Sequence, residues 1–370
     1  MDKRCRARDL GIKLGFLPPG PLNSLTDVPG VRVGHTTLIQ GGDVRTGVTA
    51  VVFEGCQGDV LPGRLFAGAH IFSGAGELTG FVQIREWGFI ESPIFLTNTL
   101  SLGDVRGAAQ RYLAERYPSL GLTADPVIAI VGECDDGYLN DMRGRHVKEE
   151  HVRQALEGAV AGPTGEGCVG GGTGMYSFDF KSGIGTASRR LPADRGGYSL
   201  GCLVMTNMGE RRRLSIAGVP VGEEITDLLT TDVVEGSGVV ILATDAPLLP
   251  QQLGQLARRA AVGLGRVGSF GSHGSGEFVV AVSTATVVPR VAAQLTFSLE
   301  ALVPSRSRLN PLYEGAIEAC EEAVVNSLLM AQTMEGRDGH VAHAIPLDRL
   351  REIMRRHGRL DETDRGGGRA

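Results

Sequence analysis

Short apolar runs separated by glycine-rich turns recur along most of the chain. Residues 47–53, 92–96, 126–131, 200–206, 238–243 and 278–283 are rich in Val and Ile and are bounded by Gly, Pro or Asp. Unbroken apolar runs of about 4–8 residues predict buried strands. Two stretches repeat at helical spacing instead. In 253–264 the apolar positions are Leu253, Leu256, Ala257, Ala260, Ala261 and Leu264, and in 311–334 they include Leu312, Ala316, Ala319, Ala323 and Leu328. Pro311 suits a first-turn position and Gly336 a stop. Further helices are expected over 103–117 and 148–158, so the chain reads as an α/β or α+β layered protein.

Composition narrows the function classes. Of 370 residues 42% are hydrophobic and 21% charged, an ordinary globular mix, while 54 glycines are about twice the usual share. The net charge is −5, and no basic tract is long enough to follow a phosphate backbone, so nucleic acid is not an expected partner. Six cysteines stand singly, without C-x-x-C spacing, which points to reduced thiols in a cytoplasmic protein. The first 17 residues lack the apolar stretch of a secretory signal, and no uncharged run reaches about 18 residues, so no membrane association is expected. Residues 361–370, ending Arg-Gly-Gly-Gly-Arg-Ala, have little to bury and read as a loose tail.

Three motifs fall short of their chemistry. Gly263-Leu264-Gly265-Arg266-Val267-Gly268 matches G-x-G-x-x-G, but a helical pattern precedes the glycines where dinucleotide binding needs a strand. A helix stop explains it better. The glycine-rich run 165–174 has no Gly-Lys-Ser/Thr to close a phosphate cradle and reads as tight turns. His340 and His343 stand at a spacing that fits one helix face, and His146 and His151 flank two glutamates, yet neither pair forms H-E-x-x-H. No metal is expected.

Gly236-Ser237-Gly238 is different. It lies between an acidic approach (Glu223, Glu224, Asp227, Asp232, Glu235) and the core-strand run Val239, Val240, Ile241, Leu242. A serine opening a buried strand after glycine can attack its own preceding carbonyl in an N-to-O acyl shift. Hydrolysis then leaves Ser237 as a new amino terminus. A free α-amine titrates near pH 7.7–8.0, so it can serve as general base for the same residue's hydroxyl.

Eight segments in order, Leu25 to His35, Gly74 to Glu77, Leu96 to Thr99, Gly132 to Asp141, Gly170 to Met175, Thr206-Asn207, Ala243 to Leu248 and Gly336 to His340, resemble the DmpA-type family. These are the serine L-aminopeptidases and D-amino-acid esterases/amidases that include the β-peptidyl aminopeptidases. The resemblance implies an α-β-β-α four-layer sandwich, of the kind shared with ornithine acetyltransferase, as a single composite domain over 1–360. It also implies scission before Ser237 into an α chain of 1–236 and a β chain of 237–370. Ser275 and Glu277 match the family's further catalytic pair, and Asn207 its oxyanion donor. Glu133 resembles an acid that pairs with the substrate's amino group, and Tyr138 a tyrosine lining the same pocket. Gly238 departs from the branched apolar residue that relatives commonly place after the nucleophile.

The expected activity is therefore removal of N-terminal residues from small peptides, or cleavage of amino-acid amides and esters, through an acyl-enzyme on Ser237. No cofactor is implied, and relatives suggest a homo-oligomer, a tetramer of αβ units. Three alternatives remain at this point. They are acyl transfer of the ornithine acetyltransferase kind, which uses threonine at the scission point, a nucleotide-dependent oxidoreductase using Gly263, Gly265 and Gly268, and an uncleaved binding protein.

Overall fold

Two sheets packed face to face, each covered on its outer face by helices, make up the computed structural model, which describes residues 3–230, 236–290 and 294–360. The four-stranded sheet runs β1 (Val31–Gln40), β2 (Val44–Phe53), β5 (Ile94–Asn98), β6 (Ile130–Cys134). The six-stranded sheet runs β4 (Phe89–Ile90), β3 (Arg64–Gly74), β12 (Gly276–Val288), β11 (Ser237–Thr244), β10 (Ser199–Asn207), β9 (Ile184–Arg190). Helices α2 (Leu102–Arg116) and α3 (Glu149–Glu157) cover the first sheet; α5 (Pro250–Val267) and α6 (Arg306–Leu329) cover the second. Smaller elements are α1 (Phe81–Trp87), α4 (Val221–Glu224), α7 (Leu347–Arg356) and two hairpins, β7 (Tyr176–Ser177) with β8 (Phe180–Lys181) and β13 (Met334–Glu335) with β14 (Val341–Ala342).

The unbroken apolar runs follow from this layering. In β11, Val239, Ile241 and Ala243 enter the core between the sheets, while Val240 and Leu242 enter the core beneath α5 and α6. Both faces are dry, so no polar alternation survives in the sequence. The same holds for β2, whose Val51 and Phe53 face the other sheet and whose Val48, Ala50 and Val52 face α2 and α3. The result is the expected α-β-β-α sandwich.

Several local expectations are corrected. The strand expected over 126–131 starts at Ile130 and runs on to Cys134, which carries Glu133 into the sheet. Helix α6 begins at Arg306, so Pro311 lies inside it and forgoes one backbone hydrogen bond. It ends at Leu329 rather than near Gly336, because the chain must turn into β13 by Met334. His340 and His343 flank β14 and share no helix.

The glycine motifs are packing devices. Gly263 and Gly265 lie within α5, and a side chain on Gly263 would come within 2.7 Å of the Ile317 carbonyl of α6. Gly268 caps the helix at φ 116°. No strand precedes these glycines, which overturns the oxidoreductase alternative. In the run 165–174, a Cβ on Gly171 would stand 2.6 Å from the Leu96 carbonyl.

Candidate active site

Three strand termini of the six-stranded sheet meet at Ser237. It is the first residue of β11, directly opposite Asn207, the last residue of antiparallel β10, and beside Gly276, the first residue of parallel β12. One register position on, Gly238 pairs with Glu277. The strand β6 of the facing sheet ends at the same place. There the Asp135 backbone N–H donates to Ser237 Oγ at 3.4 Å, and the buried Cys134 thiol lies beside the same hydroxyl.

The residue before the nucleophile is sterically specified. A Cβ at Gly236 would lie 2.8 Å from Met208 Cα, so only glycine fits. Its carbonyl accepts from the Gly276 N–H at 3.0 Å, which polarises the bond that precedes Ser237. Gly238 is under no such constraint, since its Cβ would find neighbours only at 3.8 Å and beyond. Gly238→Ala is therefore expected to stabilise the chain by about 0.5–1 kcal/mol through reduced unfolded-state freedom, read as a raised midpoint in chemical denaturation.

Asn207 is buried, and its side chain is half committed. Oδ1 accepts from the Tyr176 N–H at 3.4 Å, which fixes the amide, while Nδ2 has no partner among the described residues. A buried donor left unmade costs about 1–3 kcal/mol, so this one is kept opposite Ser237 in the register at some expense to stability.

Glu277 is 1% exposed and receives the Ser269 hydroxyl on Oε1, whereas Oε2 has no hydrogen-bond partner among the described residues. Burial pushes its carboxyl up, and the hydroxyls of Ser269 and Ser275 temper the shift. Strand alternation puts Ser237 and Asn207 on the inter-sheet face and Glu277 on the other, beside Gly238, which has no side chain to intervene. Glu277 thus lies beside the backbone of Gly238, its Cγ 3.8 Å from where a Cβ there would stand, on the face opposite the Ser237 side chain.

Glu133, near the end of β6, is buried, and burial raises its carboxyl above the usual range. Oε1 accepts from the Glu77 N–H at 2.9 Å and Oε2 from the Thr99 hydroxyl. Each oxygen keeps a further lone pair for a ligand. Tyr138 stacks on His340 at 4.7 Å with an 8° interplanar angle, and meets Tyr176 at 4.9 Å. Tyr176 in turn donates its N–H to Asn207, so Tyr138 is linked to that residue through Tyr176.

Ser269, Thr99 and the Asp135 amide were not foreseen. Thr99 and Asp135 lie 34 and 102 residues from the groups they serve, Ser269 eight residues away across a turn, and none carries a local pattern. All six cysteines are unpaired, and no helix among the described residues is long and apolar enough to cross a membrane. Of the acidic approach, Asp232 and Glu235 lie outside the described residues, as does the 361–370 tail.

The chain is 42% identical over 379 residues to the β-peptidyl aminopeptidase BapA of Sphingosinicella microcystinivorans, spanning 96% of this chain and 93% of the relative. A Burkholderia sp. β-aminopeptidase superposes with a TM-score of 0.89 at 41% identity, covering 96% of this chain and 99% of that one. The L-aminopeptidase D-Ala-esterase/amidase of Ochrobactrum anthropi, described as a prototype of the serine aminopeptidases and a variant of the Ntn hydrolase fold, gives 0.89 at 40%, with 96% and 99% covered. The description "Peptidase family S58" matches residues 23–342. The chain belongs to peptidase family S58 and is a serine aminopeptidase.

Proposed function

We propose that the chain is made as a precursor that cuts itself between Gly236 and Ser237, then hydrolyses amino-terminal residues of small peptides and the amides or esters of amino acids. The observation that carries this reading is the Asn207 Nδ2, unpartnered among the described residues, opposite a serine that opens a core strand. In maturation, Ser237 Oγ forms a bond to the Gly236 carbonyl carbon, the Gly236–Ser237 C–N bond breaks, and the hydroxyl proton passes to the departing nitrogen. Water then cleaves the ester. The products are the 1–236 chain with a Gly236 carboxylate and the 237–370 chain with a free amine, which stay together in one catalytic unit.

That amine is the base for turnover. It takes the Ser237 hydroxyl proton as Oγ attacks the substrate carbonyl, and returns it to the leaving amine. Glu277 Oε2, buried without a partner among the described residues, holds the new amino group, with Ser275 and Ser269 fixing the carboxylate in the orienting role of a triad's third member. Asn207 Nδ2 and the Asp135 N–H donate to the oxyanion. Hydrolysis of the acyl ester by water restores Ser237.

Glu133 pairs with the substrate's free amino group, and Tyr138 lines that end of the cleft. Two tests follow. Alanine p-nitroanilide and a β-alanyl amide are expected to be hydrolysed, and their N-acetylated forms to resist; equal cleavage of acetylated and free substrates sinks the aminopeptidase reading. Glu133 must be ionised to pair with the amine, and burial raises its carboxyl. The acid limb of the kcat/KM profile therefore lies above the ordinary value near 4.3, with activity lost as pH falls through it. Glu133→Gln is expected to abolish that limb and lower kcat/KM by at least about 30-fold, the usual cost of stranding one member of a buried charge pair.

Ser237 disfavours acyl transfer of the ornithine acetyltransferase kind, which uses threonine. The reading includes a cytoplasmic location, supported by six unpaired thiols. It also includes a homo-oligomer of αβ units, supported by exposed Leu295, Phe297, Leu299 and Val303 on one stretch of chain.

A further inference from the structure

Arg211, four residues beyond Asn207, uses its guanidinium in an unusual way. It is 6% exposed, lies over the Phe180 ring at 3.4 Å from the centroid, and spends its hydrogen bonds on backbone carbonyls. Nε donates to Phe178 O at 2.7 Å, Nη1 to Ile225 O at 2.9 Å and Asp227 O at 2.6 Å, and Nη2 to Asp179 O at 2.9 Å and Leu228 O at 3.1 Å. These five bonds account for the full donor capacity of the side chain. Burial lowers its pKa to about 10, which leaves it cationic at neutral pH.

The carbonyls come from two places. Phe178 and Asp179 form the turn of the β7–β8 hairpin, and residues 225–228 lie on the approach to the scissile bond. Phe178, Asp179 and Leu228 have φ of 52°, 56° and 60°, a left-handed conformation that L side chains disfavour and that persists only when surroundings over-determine it. The fork of Arg211 is that surrounding. A second clasp joins the same partners, since the Thr230 hydroxyl donates to Asp179 Oδ1 at 2.6 Å.

The hairpin is in turn fastened to the site. Phe178 N–H donates to Met208 O at 2.8 Å, Met208 N–H donates to Ser177 Oγ at 3.2 Å, and Tyr176 N–H donates to Asn207. Met208 is the residue against which Gly236 packs. One side chain thus ties the approach segment to the hairpin that locates the scissile glycine. This matters before the cut and much less after it: the 225–230 segment then no longer carries a reacting carbonyl, while Asn207 keeps its place in β10 and the Tyr176 N–H, neither of which is a bond of Arg211. Ser237, by contrast, stays held between β10 and β12.

We propose that Arg211 is a positioning residue for maturation, holding the Gly236 carbonyl in line for Ser237 Oγ while contributing little to turnover by the cut enzyme. The inference rests on self-cleavage at Gly236–Ser237. A 1 Å misplacement of reacting atoms can cost on the order of 10²-fold, so Arg211→Met and, more mildly, Thr230→Val are expected to slow precursor disappearance on denaturing gels by at least about tenfold and about threefold. The matured fraction, quantified by active-site titration, should keep kcat within about twofold of wild type, with unfolding midpoints of the precursors near that of the parent. Arg211→Lys, whose single ammonium replaces the fork with at most three donors, should fall between Met and wild type.

Maturation at the parental rate in both variants overturns the inference, as does a kcat of the cut enzyme that falls in step with maturation, which marks a merely structural role. If Arg211→Met fails to fold, Thr230→Val, altered at a half-exposed side chain, decides alone. A wild-type chain that is never cut refutes the underlying reading and this inference together, whereas a cut wild type with unslowed variants refutes this inference only.

Discussion

Ser237→Ala is expected to remain one chain of 39.0 kDa and to turn nothing over. The substitution removes only an oxygen, at a residue 8% exposed, so the fold has nothing to repack around and should melt as the parent precursor does. Both chemical events nevertheless need that oxygen. Without it the Gly236 carbonyl has no attacker, the α-amine is never released, and the base for later turnover does not exist. Loss of a nucleophile from a catalytic unit typically costs on the order of 10⁶-fold in kcat, which here means amide hydrolysis at background. Ser237→Cys retains an attacking atom and should mature slowly, so partial cutting there, beside none in alanine, distinguishes chemistry from damage to the strand.

Asn207→Ala carries the second largest effect. Its Nδ2 has no partner among the described residues, and in the proposed role removing one oxyanion donor typically costs on the order of 10²–10³-fold in kcat. KM should change little, since the carbonyl oxygen of the ground state gains less from the donor than the oxyanion does. Self-cleavage should suffer less than turnover. In the precursor the Gly236 carbonyl already accepts from the Gly276 N–H at 3.0 Å, so the maturing carbonyl has a donor that the mutation does not touch. A variant that is cut almost normally but hydrolyses amides some hundred-fold more slowly is the expected outcome. Equal losses in both steps contradict this division of donors.

How much of this was legible in the chain depended on how local the cause was. The strands β2, β5, β10, β11 and β12 announced themselves because both their faces are buried, leaving continuous apolar runs. Ser237 at the head of β11 followed from the same pattern. Other strands were hidden by polar residues whose partners are distant. β9 reads Ile184-Gly-Thr-Ala-Ser-Arg-Arg, and its Arg189 is fully buried because Glu318 and Glu322 of α6 receive it at 2.9 and 2.8 Å. No window of sequence contains both sides of that arrangement. β1 carries four exposed or half-exposed polar residues between its apolar ones, and β3 is broken by glycine and histidine.

The site shows the same division. Glu277 alone looks like a surface acid; its burial depends on Ser269, eight residues away across a turn, and on its strand lying beside β11. Glu133 is held by Thr99 and Glu77, which come from separate connections. Their places were reached through the family resemblance, and their physical reasons only through the tertiary arrangement.

The most direct measurement is intact mass together with amino-terminal sequencing of active wild-type protein. The account requires two chains whose masses sum to the precursor plus one water, the second beginning Ser-Gly-Val at residue 237. A fully active preparation consisting of a single uncut chain, or one cut at another bond, contradicts it.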